Sequence, residues 1–411
     1  MSEVAQVPQL RFPEFNGDLE EKKLDDVGSF KSGTGFTEAE QGGKSGVPFF
    51  KVSDMNLEGN QKVMVSANNY VNDEQIARLN YKPINKKSVI FAKVGAAVFL
   101  ERKRIADSFL IDNNMMAFTP TEDIDFIRQW FDTVRLSKYA QVGALPSYNA
   151  SDLKTIKINL PALPEQTKIA SFLTTVDNKI EQLSKKQELL GEYKKGLMQQ
   201  IFSQAIRFKA DDGSAFPVWE EKKLGDIGHT FNGLTGKTKD DFGRGKPYIQ
   251  YMQIFESSKI NIDNFGLVDV RDDENQKVAQ YGDVFFTTSS ETPDAVGYSS
   301  VLLDDIDKLY LNSFCFGFRP NSLDELSPNF AQFLLRSANF RRRVVRLAQG
   351  STRYNMSKVQ LMKEVISLPC LKEQTKIANF LSSIDTKIEQ VGKQLDESKQ
   401  FKKALLQKMF V

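Results

Sequence analysis

The sequence predicts an α/β (α+β) protein: two globular domains separated by two long antiparallel coiled-coil helices, built as a pseudo-two-fold tandem duplication. Three observations predict it. A 40-residue segment occurs twice, apolar residues inside it recur at heptad spacing, and the stretches between the copies alternate short β-like runs with amphipathic helices. The expected boundaries are 1–160 and 207–368 for the globular domains, and 161–206 and 369–411 for the helices.

The duplication comes first. The segment from Leu163 reads LPEQTKIASFLTTVDNKIEQLSKKQELLGEYKKGLMQQIF, and that from Leu371 reads LKEQTKIANFLSSIDTKIEQVGKQLDESKQFKKALLQKMF. They align without a gap. A weaker match opens each half, FPEFNGDLEEKKLDDVG from Phe12 and FPVWEEKKLGDIG from Phe216. Another precedes each strong copy, SYNASDLK from Ser147 and RYNMSKVQ from Arg353. Two copies of one unit suit a target that itself has two parts.

The helices follow from the heptads. Ile169, Leu173, Val176, Ile180, Leu183, Leu190, Leu197 and Ile201 form the apolar seam of the first. Ile377, Leu381, Ile384, Ile388, Val391, Leu395, Leu405 and Met409 form that of the second. Pro161, Pro164 and Pro369 mark the starts, and Glu165 and Glu373 place a carboxylate in each first turn, where the helix dipole favours it. Lys194 and Lys402 occupy the same seam position. Such a lysine either snorkels at a frayed seam end or belongs to a polar layer that sets register. A helix of this length, about 60 Å, needs a partner. That partner is the other copy, antiparallel in the same chain, or a helix of another subunit.

The globular stretches hold β-like runs: VPFFKVSDM, KSVIFAKVGAAVFL, KPYIQYMQIF, GDVFFTTSS and KLYLNSFCFGF. Each then has an amphipathic helix, DFIRQWFDTVRLSKYA or SPNFAQFLLRSANFRRRVVRLA, with Gly143 and Gly350 as expected C-caps.

Composition narrows function. There are 55 Lys+Arg against 53 Asp+Glu, so any basic surface is local. One histidine, His229, excludes sites built on several histidines. Cys315 and Cys370 fit a reduced, cytoplasmic protein with two small buried thiols. No apolar run approaches the ~20 residues of a membrane span, and MSEVAQVPQLRFPEF is not a secretory signal.

Motifs for chemistry are missing. Gly43-Lys44-Ser45 and Gly236-Lys237-Thr238 imitate a phosphate loop, but Glu38 and Phe231 stand where its first glycine belongs. Pro293-Asp294 lacks the acidic and lysine partners of a nuclease. No metal site, nucleophile elbow, dinucleotide fingerprint or adenine-methyltransferase motif is found. The chain reads as a binding protein rather than an enzyme.

Binding chemistry is present. Arg336, Arg341, Arg342, Arg343, Arg346 and Arg353 lie in one helix and its following loop, as a phosphate-gripping surface or as a solvated helix flank. Lys82, Lys86, Lys87, Lys93, Arg102, Lys103 and Arg104 are sparser counterparts in the first half. Loops rich in base-reading side chains are KSGTGF, KVSDMN, YMQIF and FTTSSET.

The doubled EQTKIA-x-FL-x-x-x-D-x-KI motif, Glu165–Ile180 and Glu373–Ile388, resembles the conserved regions of specificity subunits of Type I restriction-modification systems. The resemblance spans essentially the whole chain, including the FP…EEKKL…G openings, the KVSDMN and YMQIF segments, read as strands, and the QGSTRYNMSK loop. It implies two target-recognition domains, each reading one half of a bipartite DNA sequence, with the helices as a ruler for the gap. It implies no catalytic site and no cofactor in this chain. The implied partners are double-stranded DNA, two modification (methyltransferase) subunits that bind S-adenosylmethionine, and restriction subunits that use ATP and Mg. The halves diverge, so the implied target is asymmetric. Ser147 stands where the second half has Arg353, so an arginine contact does not transfer.

The DNA-facing candidates in the first domain are Lys31, Ser32, Thr34 and Phe36; Lys51, Ser53, Asp54 and Asn56; and Ser147, Tyr148 and Asn149. In the second they are Asn232, Thr235, Lys237 and Thr238; Tyr251 and Gln253; Thr287, Thr288, Ser289 and Ser290; and Arg353, Tyr354 and Asn355. A non-catalytic protein-binding scaffold, with the coiled coil as assembly platform, is the alternative from another class.

Overall fold

The computed structural model describes residues 7–141 and 145–410. The chain forms two compact units, one of Met1–Ser184 with Lys393–Val411 and the other of Lys185–Gly392. Both division points fall inside the long helices, Leu163–Phe202 and Leu371–Met409. Each unit therefore owns the start of one helix and the end of the other.

The first unit is built on a four-stranded antiparallel sheet in the order Gly28–Ser32, Met115–Pro120, Ser88–Ala92, Lys103–Ala106. Its two central strands are apolar on both faces, as fits a sheet covered on both sides. The helix Ile124–Thr133 lays Phe126, Ile127, Trp130 and Phe131 on one face. Ile169 and Leu173 near the start of the first long helix join the same core as Leu405 and Met409 near the end of the second. The two helices therefore run antiparallel there. On the other face a smaller core gathers Phe50, Ile90, Phe109 and Met115. Beside it is a three-stranded sheet, Tyr70–Val71, Val47–Phe50 and Leu110–Ile111. Glu20–Lys23 pairs with Lys157–Leu160 and ties the two ends of the domain together.

The second unit repeats this plan. Its sheet runs Gly228–Asn232, Cys315–Pro320, Val284–Thr287, Ser299–Val301. Ile377, Leu381 and Ile384 of the second helix share its core with Ile201 of the first, again antiparallel. Glu220–Lys223 pairs with Val365–Leu368. A small sheet of Ser289–Ser290, Tyr354–Met356 and Ala348–Gln349 is added.

The repeated Glu-Gln pair explains how each helix is seated. Glu165 receives both Nε and Nη2 of Arg11 at 2.7 Å in the first unit. Glu373, fully buried, receives Arg207 Nη2 at 2.7 Å and Trp219 Nε1 at 3.1 Å in the second. Gln166 and Gln374 each donate to a proline carbonyl before the helix, Pro161 at 2.9 Å and Pro369 at 3.0 Å. These buried carboxylates each anchor a half-buried arginine as well as suiting the dipole.

Four local expectations are corrected. KVSDMN and YMQIF are not strands: Val52–Asn56 is a 3-10 turn and Tyr251–Glu256 an α-helix. Asp54 caps the former by accepting from Lys51 N at 2.8 Å, a local bond that competes with a strand ladder. The single helix expected over 327–348 is two, Pro328–Leu334 and Ala338–Arg346, with Ser337 capping the second through Phe340 N. Gly350 is no helix cap; at φ 128° it turns a hairpin, where a Cβ would meet Arg353 O at 2.2 Å. Gly143 lies outside the described residues. Cys315 is buried, but Cys370 is only half-buried.

Candidate nucleic-acid interface

In the second unit the topology gathers several candidates at one edge. Ser289 pairs with Asn355 and Ser290 with Tyr354. Tyr251, at the start of its short helix, donates its hydroxyl to Ser289 O at 2.7 Å. Thr288 accepts from Met356 N at 2.9 Å through its carbonyl. Arg353 is exposed at the tip of the Ala348–Met356 hairpin. Burial pushes the Tyr251 hydroxyl up; the Thr287 hydroxyl and the Arg353 charge pull the other way. An exposed arginine beside hydroxyls and an amide is a surface suited to phosphate and base edges.

In the first unit Ser147 bridges to Val94 and to Gln141, and Tyr148 N donates to Lys93 O at 3.4 Å. Lys93 Nζ reaches Ser32 Oγ at 3.3 Å. Lys31, Ser32 and Asn149 are exposed around this point. Lys31 donates to Lys82 O, and partial burial lowers its pKa.

Other candidates are used internally. Tyr148 is 2% exposed, with its hydroxyl on Ala92 O. Asp54 is fully buried as a cap and accepts from Asn68 Nδ2 at 2.6 Å. Gln253 is buried and donates to the carbonyls of Asn261 and Asn264. Thr287 is fully buried, its hydroxyl accepting from Tyr298 N at 3.0 Å; Ser289 is buried too. Lys237 pairs with Glu274 at 2.6 Å and is nearly covered, and its ammonium with Gln276 holds Glu274 down at about 2. Phe36 stacks on Phe49 at 3.8 Å between ring centres. Asn232 accepts from Lys358. Thr235 bonds Gln276, and Thr238 bonds Asp241. Lys51 donates to Gln41 at 3.2 Å, and Asn56 accepts from Arg102. Thr34 bridges to Asp112. Ser53 stays exposed. Short polar side chains serve turns as readily as ligands, and sequence does not separate the two uses.

The arginine-rich helix is also not one phosphate grip. Arg336 is sunk against Tyr298 and donates to the carbonyls of Ile254, Phe255, Ser257 and Ser299. Burial drives its pKa down to about 10. Arg341 holds the carbonyls of Asp294, Val296 and Gly297. Arg343 donates to Val365 O and Arg342 to Asn339. Only Arg346 and Arg353 of the six are exposed with no hydrogen bond from the guanidinium among the described residues. In the first unit Lys103 and Arg104 likewise bind carbonyls, those of Val134 and Asn60.

One exposed aromatic lies at the same edge without having been a sequence candidate: Phe314, 61% exposed in the turn before Cys315–Pro320, with Thr288 N donating to its carbonyl at 3.1 Å. No sequence signal set it apart, because Phe314 lies inside the β-like run KLYLNSFCFGF. Among the described residues no group of three or more His, Cys, Asp or Glu is placed to hold a metal. No described helix is long and apolar enough to cross a membrane.

Known proteins share this architecture. The family described as the Type I restriction modification DNA specificity domain matches residues 16–190 and again 218–397. The MjaVIII type I restriction enzyme specificity subunit of Methanocaldococcus jannaschii is 28% identical over 285 residues, 64% of this chain and 63% of that protein. The matched part thus spans under two thirds of that relative. A second protein of that organism, named as the MjaX specificity subunit, is 25% identical over 90% of this chain and 88% of its own length. The crystal structure of the S subunit of a Type I restriction-modification system from M. genitalium superposes with a TM-score of 0.58 at 16% identity, covering 99% of both chains. A chain from a structural study of assembly and conformational transition in a type I R-M system gives 0.56 at 17% identity, covering 95% of this chain and 97% of that one. These likenesses extend to the fold of the whole chain, while the family match falls once on the sequence of each half. The chain therefore belongs to the Type I restriction modification DNA specificity domain family and carries that domain twice.

Proposed function

We propose that this chain is the DNA-specificity subunit of a Type I restriction-modification complex. Each recognition domain reads one half of an asymmetric, bipartite target, and the helix pair sets the gap between the halves and docks the modification subunits. One observation carries the reading: a single DNA-specificity domain occurs twice on the same sheet plan, with different exposed side chains on each copy. The protein-binding scaffold is disfavoured by the same family membership.

Within this proposal the chain supplies recognition and no catalytic step. Two modification subunits bind S-adenosylmethionine and methylate the DNA, and restriction subunits use ATP and Mg, so this chain itself holds no cofactor. Such a complex works in the cytoplasm. DNA contact in the second domain centres on Arg353, Asn355, Ser290 and Thr288. In the first it centres on Lys31, Ser32, Lys93, Ser147 and Asn149.

The experiment is a map of N6-methyladenine in the native host with and without the gene. Loss of one gapped, asymmetric motif on deletion is the expected result. An unchanged methylome, with no salt-sensitive DNA binding by the co-expressed complex, overturns the proposal. The gap-setting part has its own test. Inserting four residues into both long helices adds about 6 Å to each. The gap should then lengthen by up to about two base pairs; an unchanged gap refutes the ruler.

A further inference from the structure

The two units present one turn with the same backbone and different side chains. In the second unit Phe314 N donates to Asn312 Oδ1 at 2.8 Å and Cys315 N to Asn312 O at 3.1 Å. In the first, Asn114 N donates to Asp112 Oδ1 at 3.1 Å and Met115 N to Asp112 O at 3.0 Å. Each turn hangs from the parallel strand beside it, through Asn312 N to Ile249 O and through Asp112 N to Phe50 O, both 3.0 Å. Each is covered by a glycine that admits no side chain: a Cβ on Gly233 would meet Asn312 O at 2.1 Å, and one on Gly33 would meet Asp112 O at 1.8 Å. Each then passes a hydrogen bond on to the next segment, Thr288 N to Phe314 O at 3.1 Å and Lys93 N to Asn114 O at 2.7 Å.

What varies on this fixed frame faces solvent. The apex carries Asn113 and Asn114 in the first unit and Ser313 and Phe314 in the second, all exposed. Phe314 makes no ring contact among the described residues, while its neighbours Cys315, Phe316 and Phe318 fill the interior. Its position contributes nothing visible to the core. Through Thr288 it is joined to the edge that carries Asn355 and Arg353. An aromatic face, a free guanidinium, hydroxyls and an amide on one edge match a duplex: phosphates outside, base edges and thymine methyls within the groove.

We propose that this turn is a base-reading element in both domains. Phe314 gives the second domain an apolar contact to one base pair, most simply a thymine methyl. Asn114, whose Nδ2 donates to Asp112 Oδ2 at 3.3 Å and is thereby oriented, gives the first domain an amide-oxygen contact to a base edge. The proposal rests on the DNA-specificity reading above and adds to it the position at which the two half-sites are told apart. A rigid frame with exchangeable apex residues is what such discrimination requires, because a small misplacement of the side chain is enough to break its bond to a base.

The test uses the full chain co-expressed with its modification partner. Phe314→Ala, Phe314→Leu and Asn114→Ala are compared with the parent by methylome mapping, and by competition binding against duplexes altered one base pair at a time. For Phe314→Ala, discrimination should fall about tenfold at a single position of one half-site, the size expected when one base pair is no longer read. The other half-site, the gap and the salt slope should not change. Phe314→Leu should retain part of the preference, and Asn114→Ala should relax the opposite half-site. Unchanged discrimination at every position in both Phe314→Ala and Asn114→Ala overturns the turn proposal and leaves the DNA reading standing. A lowered thermal midpoint with uniform loss of methylation in Phe314→Ala and Phe314→Leu assigns the ring to folding and also overturns it. A parent complex with no gapped motif and no salt-sensitive binding overturns both readings.

Discussion

Lys402 Nζ lies 2.8 Å from Asp177 Oδ1, so an ion pair crosses between the two long helices inside the first unit. Asp177 Oδ2 also accepts from Gln129 Nε2 at 2.8 Å, and Lys402 lies 3.5 Å from Asp132. The second unit repeats the device with Lys194 and Asp385 at 2.5 Å, the ammonium lying over the Phe333 ring. Of the two sequence readings for these lysines, the paired polar layer is the one adopted. An apolar seam alone tolerates a shift by one heptad; a half-buried charge that needs its partner does not.

Breaking the pair from one side is expected to destabilise more than removing it. Asp177→Ala leaves Lys402 and Gln129 without their main acceptor, at a cost of about 1–3 kcal/mol. The double variant Asp177→Leu with Lys402→Leu should recover much of that, because the desolvation penalty disappears with the charges. Thermal unfolding midpoints of the three proteins decide it. A double variant as unstable as the single one would show that packing, not charge, is at stake.

The pair should also make stability sensitive to acid. Burial raises the Asp177 carboxyl, but Lys402, Gln129 and Arg128 outweigh it and hold its pKa below the usual value. A lowered carboxylate pKa gives stability that is fully present above the unfolded value of about 3.9 and lost as pH falls through the folded one. The parent should therefore lose stability below about pH 4 more steeply than Asp177→Asn. Midpoints measured from pH 6 downward test this, and parallel curves would count against it.

At the start of the second helix, Glu373→Gln removes the charge that Arg207 and Trp219 both address. Arg207 is 28% exposed and can rehydrate, so the expected loss is about 1–3 kcal/mol, less than for a fully buried pair. Chemical denaturation checks it. Glu165→Gln, with Arg11 and no indole donor at its carboxylate among the described residues, should cost no more.

Two residues aligned to the same loop should separate recognition from folding. Arg353→Ala is expected to weaken DNA binding by the complex and to reduce the log–log salt slope by about 0.9 for each phosphate no longer neutralised. Tyr148→Phe should leave that slope alone and lower stability by about 1 kcal/mol, through the bond to Ala92 O. Salt titrations with both variants distinguish the roles; an unchanged slope for Arg353→Ala would remove it from the interface.

The sequence by itself determined the duplication and the two long helices, because a heptad pattern is local and repeats itself. The sixteen apolar seam positions, Ile169 to Ile201 and Ile377 to Met409, are each buried or half-buried. The tertiary structure decided between the two partners open to those helices, pairing them antiparallel within each unit. It alone decided which polar residues are free. Arg336 and Arg353 read alike in sequence, yet one binds four carbonyls and the other stands at a hairpin tip. Tyr148 and Tyr354 occupy equivalent loops, yet the first is sealed and the second half-exposed. Phe314 sits in a run that reads as strand and core, and it is surface. The physical reason is that helix periodicity is fixed within a few residues of chain, whereas the satisfaction of a polar group depends on carbonyls and side chains brought to it from far along the sequence.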